Sequence, residues 1–228
     1  MSLDCRIRLA PGDRSRDSAV SRALLEEVGV ERSFDAGEVV LPPGRRAERI
    51  YFVSSGQLKM CRVTPAGRNL ILALPGPGDV VGVASALGGA ESPTSVEALV
   101  PTVCLEIRKT DLYALFARRP DAAERILPLL TRHLRECSNC IVETACSRVE
   151  TRFAALFLRL AEDVGTSRAD GTHVPLRLAR QELADLGGTT LETAIRVMSR
   201  WGKEDLVQTL GDGFLVRDRN RLEELARE

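Results

Sequence analysis

Glu192, Arg196, Ser199 and Lys203 recur at spacings of three and four, so on a helix from about Thr190 to Lys203 they share one face. Ala194, Val197, Met198 and Trp201 make the opposite, apolar face. The polar face carries what base edges need. The Arg196 guanidinium can donate a pair of hydrogen bonds to guanine O6 and N7, Glu192 can accept from a cytosine amine, and Ile195, on the flank with Arg200, can pack on a thymine methyl. Thr189, Thr190 and Thr193 at the helix N-terminus suit phosphates, as does Arg180 upstream. The plain alternative is a solvated amphipathic helix capped by Thr189 and Glu192 as a capping box.

What favours base contact is the setting of this helix. A helix over Arg180–Leu186 and the turn Gly187-Gly188 precede it. A hairpin around Gly211-Asp212-Gly213, between Leu206-Val207 and Phe214-Leu215-Val216, follows. Helix, glycine turn, helix and β-hairpin make a winged helix-turn-helix. Upstream, a helix over about 149–164 buries Phe153, Leu156, Phe157 and Leu160 and stops at Gly165. The polar stretch Thr166 to His173 reads as a loop, and Val174 to Leu178 as a strand.

Residues 34–110 read as all-β. Gly37, Gly44, Gly56, Gly67, Gly78 and Gly88 alternate with short apolar runs such as Ile50-Tyr-Phe-Val53 and Leu70 to Leu74, the spacing of a sandwich or barrel. Pro75-Gly-Pro-Gly-Asp79 contains G-x-G, but no βαβ unit surrounds it, so it reads as turn chemistry. One long helix is predicted over 121–146, opening with Pro120-Asp121. Along it Leu127, Leu130, Leu134, Cys137, Ile141 and Thr144 form an a/d seam that predicts pairing with a second copy, while Pro128 is expected to distort the first turns. The chain thus divides into a sensor domain with a short N-terminal helix (1–120), a dimerisation helix and hinge (121–147) and a DNA-binding domain (148–228).

The 228 residues suffice for two modest domains, and 44% hydrophobic with 28% charged residues is ordinary globular composition. The 32 basic and 32 acidic residues cancel, so a polyanion must be met by a local patch rather than by overall charge. The longest weakly charged stretch, Ile71 to Ala90, carries five glycines, which excludes a membrane helix. The N-terminus lacks the apolar core of a signal peptide, so a cytoplasmic protein without membrane partners is expected. In that reducing compartment the six cysteines are not a disulfide framework.

The ordered match of several segments points to a family. GEVVLPPGRRAERIYFVSSGQLKM, GDVVG and LARQELADLGGTTLETAIRVMSRW resemble, over nearly the whole span from Phe34 to Glu228, the CRP/FNR superfamily of bacterial transcription regulators. The resemblance implies an α+β chain: an N-terminal double-stranded β-helix, the jelly-roll barrel of cyclic-nucleotide-binding-like domains, then a dimerisation helix and a C-terminal winged helix-turn-helix. It implies a homodimer on a palindromic operator in double-stranded DNA, with RNA polymerase as a partner where the regulator activates. Glu192 and Arg196 fall where the family reads its half-site. The implied effector pocket comprises Met60, Gly82, Val83, Ala84, Ser92 and Thr94.

Two departures from the family's pattern bear on the signal. Cyclic-AMP-responsive members hold the nucleotide with Gly-Glu-Leu and an Arg-Ser pair, where this chain has Gly82-Val83-Ala84 and Ser92-Pro93. Each charge-assisted hydrogen bond lost there costs about 1.5–3 kcal/mol, so cyclic AMP is not the expected ligand. The second departure is Cys137, Cys140 and Cys146, whose C-x2-C-x5-C spacing resembles an iron–sulfur ligand run but lies on the dimer helix instead of before the barrel. On a straight helix Cys146 sits about 180° from Cys137, whereas His133, Cys137 and Cys140 lie within about 60° of one another. Two readings stand. His133, Cys137 and Cys140 can ligate Zn, haem iron or an iron–sulfur cluster, with a Cys137–Cys137 disulfide as the redox variant. Alternatively the thiols, Cys61 and Cys104 included, are packed as small apolar groups. Cys104 lies one residue from where oxygen sensors place a remote fourth ligand.

The chain offers no nucleophile–base pair, zincin helix or phosphate loop, so an enzyme is not expected. The expectation is a regulator controlled by a small-molecule, redox or gas signal. The competing reading is a cyclic-nucleotide-binding-like module without DNA binding, which leaves the winged helix unexplained.

Overall fold

The computed structural model describes residues 17–65, 67, 69–128 and 148–227, which fall into two compact units on either side of residue 135. In the first unit the glycine-punctuated strands form two sheets. Strands β1 (Val30–Phe34), β3 (Arg49–Ser55), β6 (Val80–Val81) and β8 (Thr102–Arg108) make one, in the order β1-β8-β3-β6. Strands β2 (Val39–Leu41), β4 (Leu58–Val63), β5 (Asn69–Ala73) and β7 (Ser95–Ala98) make the other, in the order β2-β7-β4-β5. All the pairings are antiparallel.

The expected barrel is therefore corrected to an open sandwich: among the described residues no ladder joins the two sheets, and neither closes on itself. The short strands account for this. β6 has two residues and β2 three, too few to carry a ladder from one sheet around to the other.

Between the sheets lies a core of Phe34, Leu41, Tyr51, Val53, Leu58, Met60, Val81, Val96 and Cys104, among others. The outer face of the β3–β8 sheet is covered by helices. Ile50, Phe52, Leu105 and Ile107 pack there with Leu24 and Leu25 of α1 (Asp17–Glu26), Ala86 of α2 (Val83–Gly88), Leu112 and Leu115 of α3 (Lys109–Arg118), and Ala122 and Ile126 of α4 (described over residues 120–128). Burial on both faces explains why β3 is a continuous apolar run rather than an alternation.

α3 was not foreseen from the sequence. It is separated from α4 at Arg119, whose extended backbone (φ −135°, ψ 85°) is what Pro120 imposes on the residue before it. Leu127 is exposed, on the flank of α4 away from Ala122 and Ile126. The other seam positions (Leu130, Leu134, Cys137, Ile141 and Thr144) lie outside the described residues, as do His133, Cys140 and Cys146.

Cys61 and Cys104 are buried, and burial pushes the Cys104 pKa up to about 12. A thiol nucleophile must ionise. Cys104 is accordingly expected to stay unmodified by iodoacetamide at pH 8 in the native protein and to react once denatured, as read by mass spectrometry of the peptide.

The second unit begins with α5 (Val149–Asp163), whose Phe153, Phe157 and Leu160 are fully buried. Strands β9 (Thr166–Arg168), β10 (Gly171–Val174), β11 (Val207–Leu210) and β12 (Gly213–Val216) form a sheet in the order β11-β12-β10-β9. The predicted polar loop Thr166–His173 is thus a hairpin, and the strand expected over Val174–Leu178 ends at Val174. Hydropathy missed the hairpin because β9 is exposed throughout and is held by backbone pairing to β10. Pro175, lacking an N–H, ends the ladder.

Helices α6 (Arg180–Leu186) and α7 (Leu191–Lys203) stand where the sequence placed them, and a further helix, α8 (Arg219–Leu225), closes the unit behind an Asp218 cap. Trp201 is the hub of this core. It meets Phe153 and Phe157 edge-to-face, and Phe157 in turn meets Phe214 of the wing, so one aromatic chain ties α5, α7 and the hairpin together.

Candidate nucleic-acid interface

Three features aim α7. Gly187 and Gly188 make the turn after α6, with Gly188 at φ 56° and the Thr189 N–H donating to the Ala184 carbonyl at 2.9 Å. Arg152 of α5 then caps that turn, donating from Nε to the Gly187 carbonyl at 2.7 Å and from Nη2 to the Gly188 carbonyl at 3.3 Å. Nothing in the local sequence marks Arg152 for this task, since it lies 35 residues away in the chain. Thr190 is the N-cap: its Oγ1 accepts from the Thr193 N–H at 3.3 Å and donates to Thr193 Oγ1 at 3.2 Å. The cap is therefore Thr190 with Thr193, one residue on from the Thr189–Glu192 box read from the sequence. Glu192 sits in the first turn, where its own backbone N–H and then the Thr190 hydroxyl hold its carboxyl below the usual range. It is a charged acceptor at neutral pH.

The two faces of α7 are as the periodicity predicted. Ala194, Val197, Met198 and Trp201 are buried, and Glu192, Ile195, Arg196, Ser199, Arg200 and Lys203 are exposed. The exposed cations differ in availability. Arg200 is drawn to Glu150 of α5, with Glu204 Oε1 at 3.9 Å; the Glu150 hydrogen bond raises its pKa further. Arg180, half-buried at the start of α6, donates from Nη2 to Thr209 Oγ1 of β11 at 2.6 Å, and burial lowers its pKa without approaching neutrality. Among the described residues Arg196 has no ion pair. Thr189 and Thr193 are half-buried. The structure thus separates one unengaged guanidinium, Arg196, from two that brace α7 and the wing.

The wing turn has its own anchor, for which the sequence holds no local signal. His173, buried on β10, has Nδ1 2.8 Å from Arg168 Nη2 and Nε2 3.2 Å from Asp212 Oδ1 in the Gly211-Asp212 turn. An arginine only donates, so Nδ1 accepts and the ring proton sits on Nε2, facing the carboxylate. That contact is close in distance but off hydrogen-bond alignment. The His173 contact is also the main cause of the Asp212 carboxyl titrating below its usual value.

In the first unit, the expected pocket residues are spread over several elements. Met60 belongs to the core between the sheets, whereas Val83 packs against the helix-side core. Gly82, at φ 85°, starts α2. Ala84 is exposed, and Thr94 is half-buried. Ser92 is buried and donates from Oγ to the Thr94 carbonyl at 2.9 Å. Its backbone carbonyl and N–H are paired with Gly44 and Arg45. Among the described residues no three His, Cys, Asp or Glu side chains gather as a metal site, and no helix is long and apolar enough to cross a membrane.

Comparison with known proteins agrees with this arrangement. Residues 31–119 match the cyclic nucleotide-binding domain family and residues 151–225 the Crp-like helix-turn-helix domain. The chain is 31% identical over 196 residues to a cyclic AMP receptor protein of Thermus thermophilus, covering 86% of this chain and 87% of that one. It is 28% identical over 194 residues to a CRP-like cAMP-activated global transcriptional regulator of Mycobacterium tuberculosis, covering 85% and 87%. A solved transcriptional regulator of the CRP/FNR family, also from Thermus thermophilus, superposes with a TM-score of 0.70 at 26% identity, over 87% of this chain and 99% of the other. With a cyclic-nucleotide-binding-like sandwich followed by a helix-turn-helix of the Crp type, the chain is a regulator rather than an enzyme, and it belongs to the CRP/FNR superfamily of bacterial DNA-binding transcription regulators.

Proposed function

We propose that this protein is a homodimeric, sequence-specific regulator that binds a palindromic operator and answers a signal other than cyclic AMP. The observation that carries the reading is the exposed Glu192–Arg196–Ser199 face, whose guanidinium has no ion pair among the described residues while Arg180 and Arg200 are engaged elsewhere in the unit. Two such helices in a dimer meet half-sites about 34 Å apart, one turn of DNA.

Selection from random duplexes with the full chain tests the proposal. Recovery of a palindrome whose binding falls steeply with salt is the expected result, and recovery of no consensus overturns it. The a/d seam supports the dimer, and sedimentation should give twice the chain mass of 24.9 kDa. A monomer at micromolar concentration contradicts the dimer.

Val83 and Ser92 bear on the signal. Val83 contributes apolar packing where cyclic-AMP-responsive members carry a carboxylate, and the Ser92 hydroxyl is engaged by Thr94. Neither supplies the charge that a cyclic phosphodiester or ribose hydroxyl needs. Calorimetry is expected to show no micromolar binding of cyclic AMP, and a well-defined isotherm in that range contradicts the exclusion.

A further inference from the structure

Three charged groups meet in the last turn of α7, and they do not balance. Arg200 is held by Glu150 of α5, and Glu204 Oε1 stands 3.9 Å from its Nε. Two carboxylates thus share one guanidinium, one turn on from Arg196. The chain as a whole has 32 basic and 32 acidic residues, so a polyanion is met only by local cations. An acid held on one of the three cations of α7, Arg196, Arg200 and Lys203, works against that.

The core fixes where this tie forms. Glu150 and Phe153 are three residues apart and share a face of α5, and Phe153 packs edge-to-face on Trp201, the residue after Arg200. The backbone positions of acid and base are therefore set, whereas their side chains are wet, 45% exposed for Arg200 and 37% for Glu150. An ion pair so hydrated is among the weakest of tertiary contacts. A phosphate presents the same two-oxygen edge to a guanidinium as a carboxylate does. Arg200 lies about 40° round the axis from Arg196. With Arg196 over the base edges, that places Arg200 toward a wall of the groove, where the phosphates run.

We propose that Glu150 is an autoinhibitory residue: in the DNA-free protein it occupies the Arg200 guanidinium that a backbone phosphate would otherwise take, and so holds down sequence-independent affinity. This rests on the DNA-binding reading above. Docking exchanges one oxyanion for another, and the carboxylate left behind then faces the phosphates. Both effects oppose binding, and neither involves a base. Glu150 therefore lowers affinity for every duplex by the same factor and leaves the preference set by Arg196 untouched.

Glu150→Gln in the full-length protein is the test, since glutamine keeps the size and a hydrogen-bonding oxygen and removes the charge. Titrations against the selected operator and against a scrambled duplex of the same length are expected to show binding about tenfold tighter on both, from roughly threefold per half-site. The plot of log affinity against log salt should steepen by about one to two units, because each protomer gains one phosphate contact. In an Arg200→Ala background the same substitution should give at most about twofold, since only screened long-range charge is then removed. The thermal midpoint should fall slightly, because α5 loses an acid from its first turn, so tighter binding is not the product of a more stable fold.

If Glu150→Gln leaves binding unchanged or weakens it, the tie serves only to position α7 and the proposal is overturned. Equal tightening with and without Arg200 overturns it too, because the acid then acts through its charge alone. Binding of wild type to neither duplex is a different result: it removes the DNA-binding reading itself, and this inference with it.

Discussion

Arg196→Ala is expected to weaken binding to the selected operator by about 1–3 kcal/mol per half-site, hence roughly 30-fold or more on a palindrome, and to relax the preference at one base pair. The size follows from geometry and availability. Arg196 projects from α7 opposite Val197, Met198 and Trp201, and no carboxylate among the described residues competes for it. Its planar guanidinium can make two parallel bonds to guanine, which an ammonium cannot, so Arg196→Lys should not restore the preference. The measurement is a titration by fluorescence anisotropy against the operator and against versions in which single G·C pairs are exchanged. Arg196→Ala with an unaltered base preference would remove α7 from the role of recognition helix. Arg200→Ala, by contrast, breaks an internal tie to Glu150, and its effect should be similar on every sequence.

Gly187→Ala should destabilise the DNA-binding unit by about 1–3 kcal/mol, even though alanine is ordinarily the better helix former at such a boundary. A Cβ at this position would lie 2.0 Å from Cε1 and 2.7 Å from Cδ1 of Phe153. That ring cannot swing aside, because it is fully buried and packed edge-to-face on Trp201. Relief must come from moving α6 away from α5, and Arg152 loses its carbonyl partners on Gly187 and Gly188 in the process. Denaturant unfolding followed by Trp201 fluorescence measures the loss directly, since this is the only tryptophan in the chain. DNA affinity should fall as well, because the turn sets the angle of α7. An unchanged midpoint would mean that the turn tolerates a side chain and that the approach of Phe153 is not what requires glycine here.

The turn itself was legible in the sequence, because paired glycines between two amphipathic segments have few other uses. Its reason was not. Nothing near Gly187 in the chain points to Phe153 or Arg152, and both arrive from a helix that packs across the turn. The β9–β10 hairpin was missed for a related cause: its exposed residues carry no apolar alternation, and the ladder to β10 is made of backbone groups common to every sequence. The barrel expectation failed on connectivity. Strand spacing and glycine turns are alike in a closed barrel and an open sandwich, and only the pairing of β1, β3, β6 and β8 in one sheet and β2, β4, β5 and β7 in the other distinguishes them.

The inward face of α7 was determined by the sequence alone, since a helical period of about 3.6 residues leaves one arrangement of Ala194, Val197, Met198 and Trp201 that buries them together. The outward face was determined only up to composition. Arg196 and Arg200 are the same residue type, one turn apart, and no periodicity tells them apart. Tertiary packing decided that Glu150 lies beside Arg200 and that no acid faces Arg196 among the described residues. A charge is committed by whatever the fold brings within a few ångströms of it, and that neighbour is seldom a neighbour in the chain.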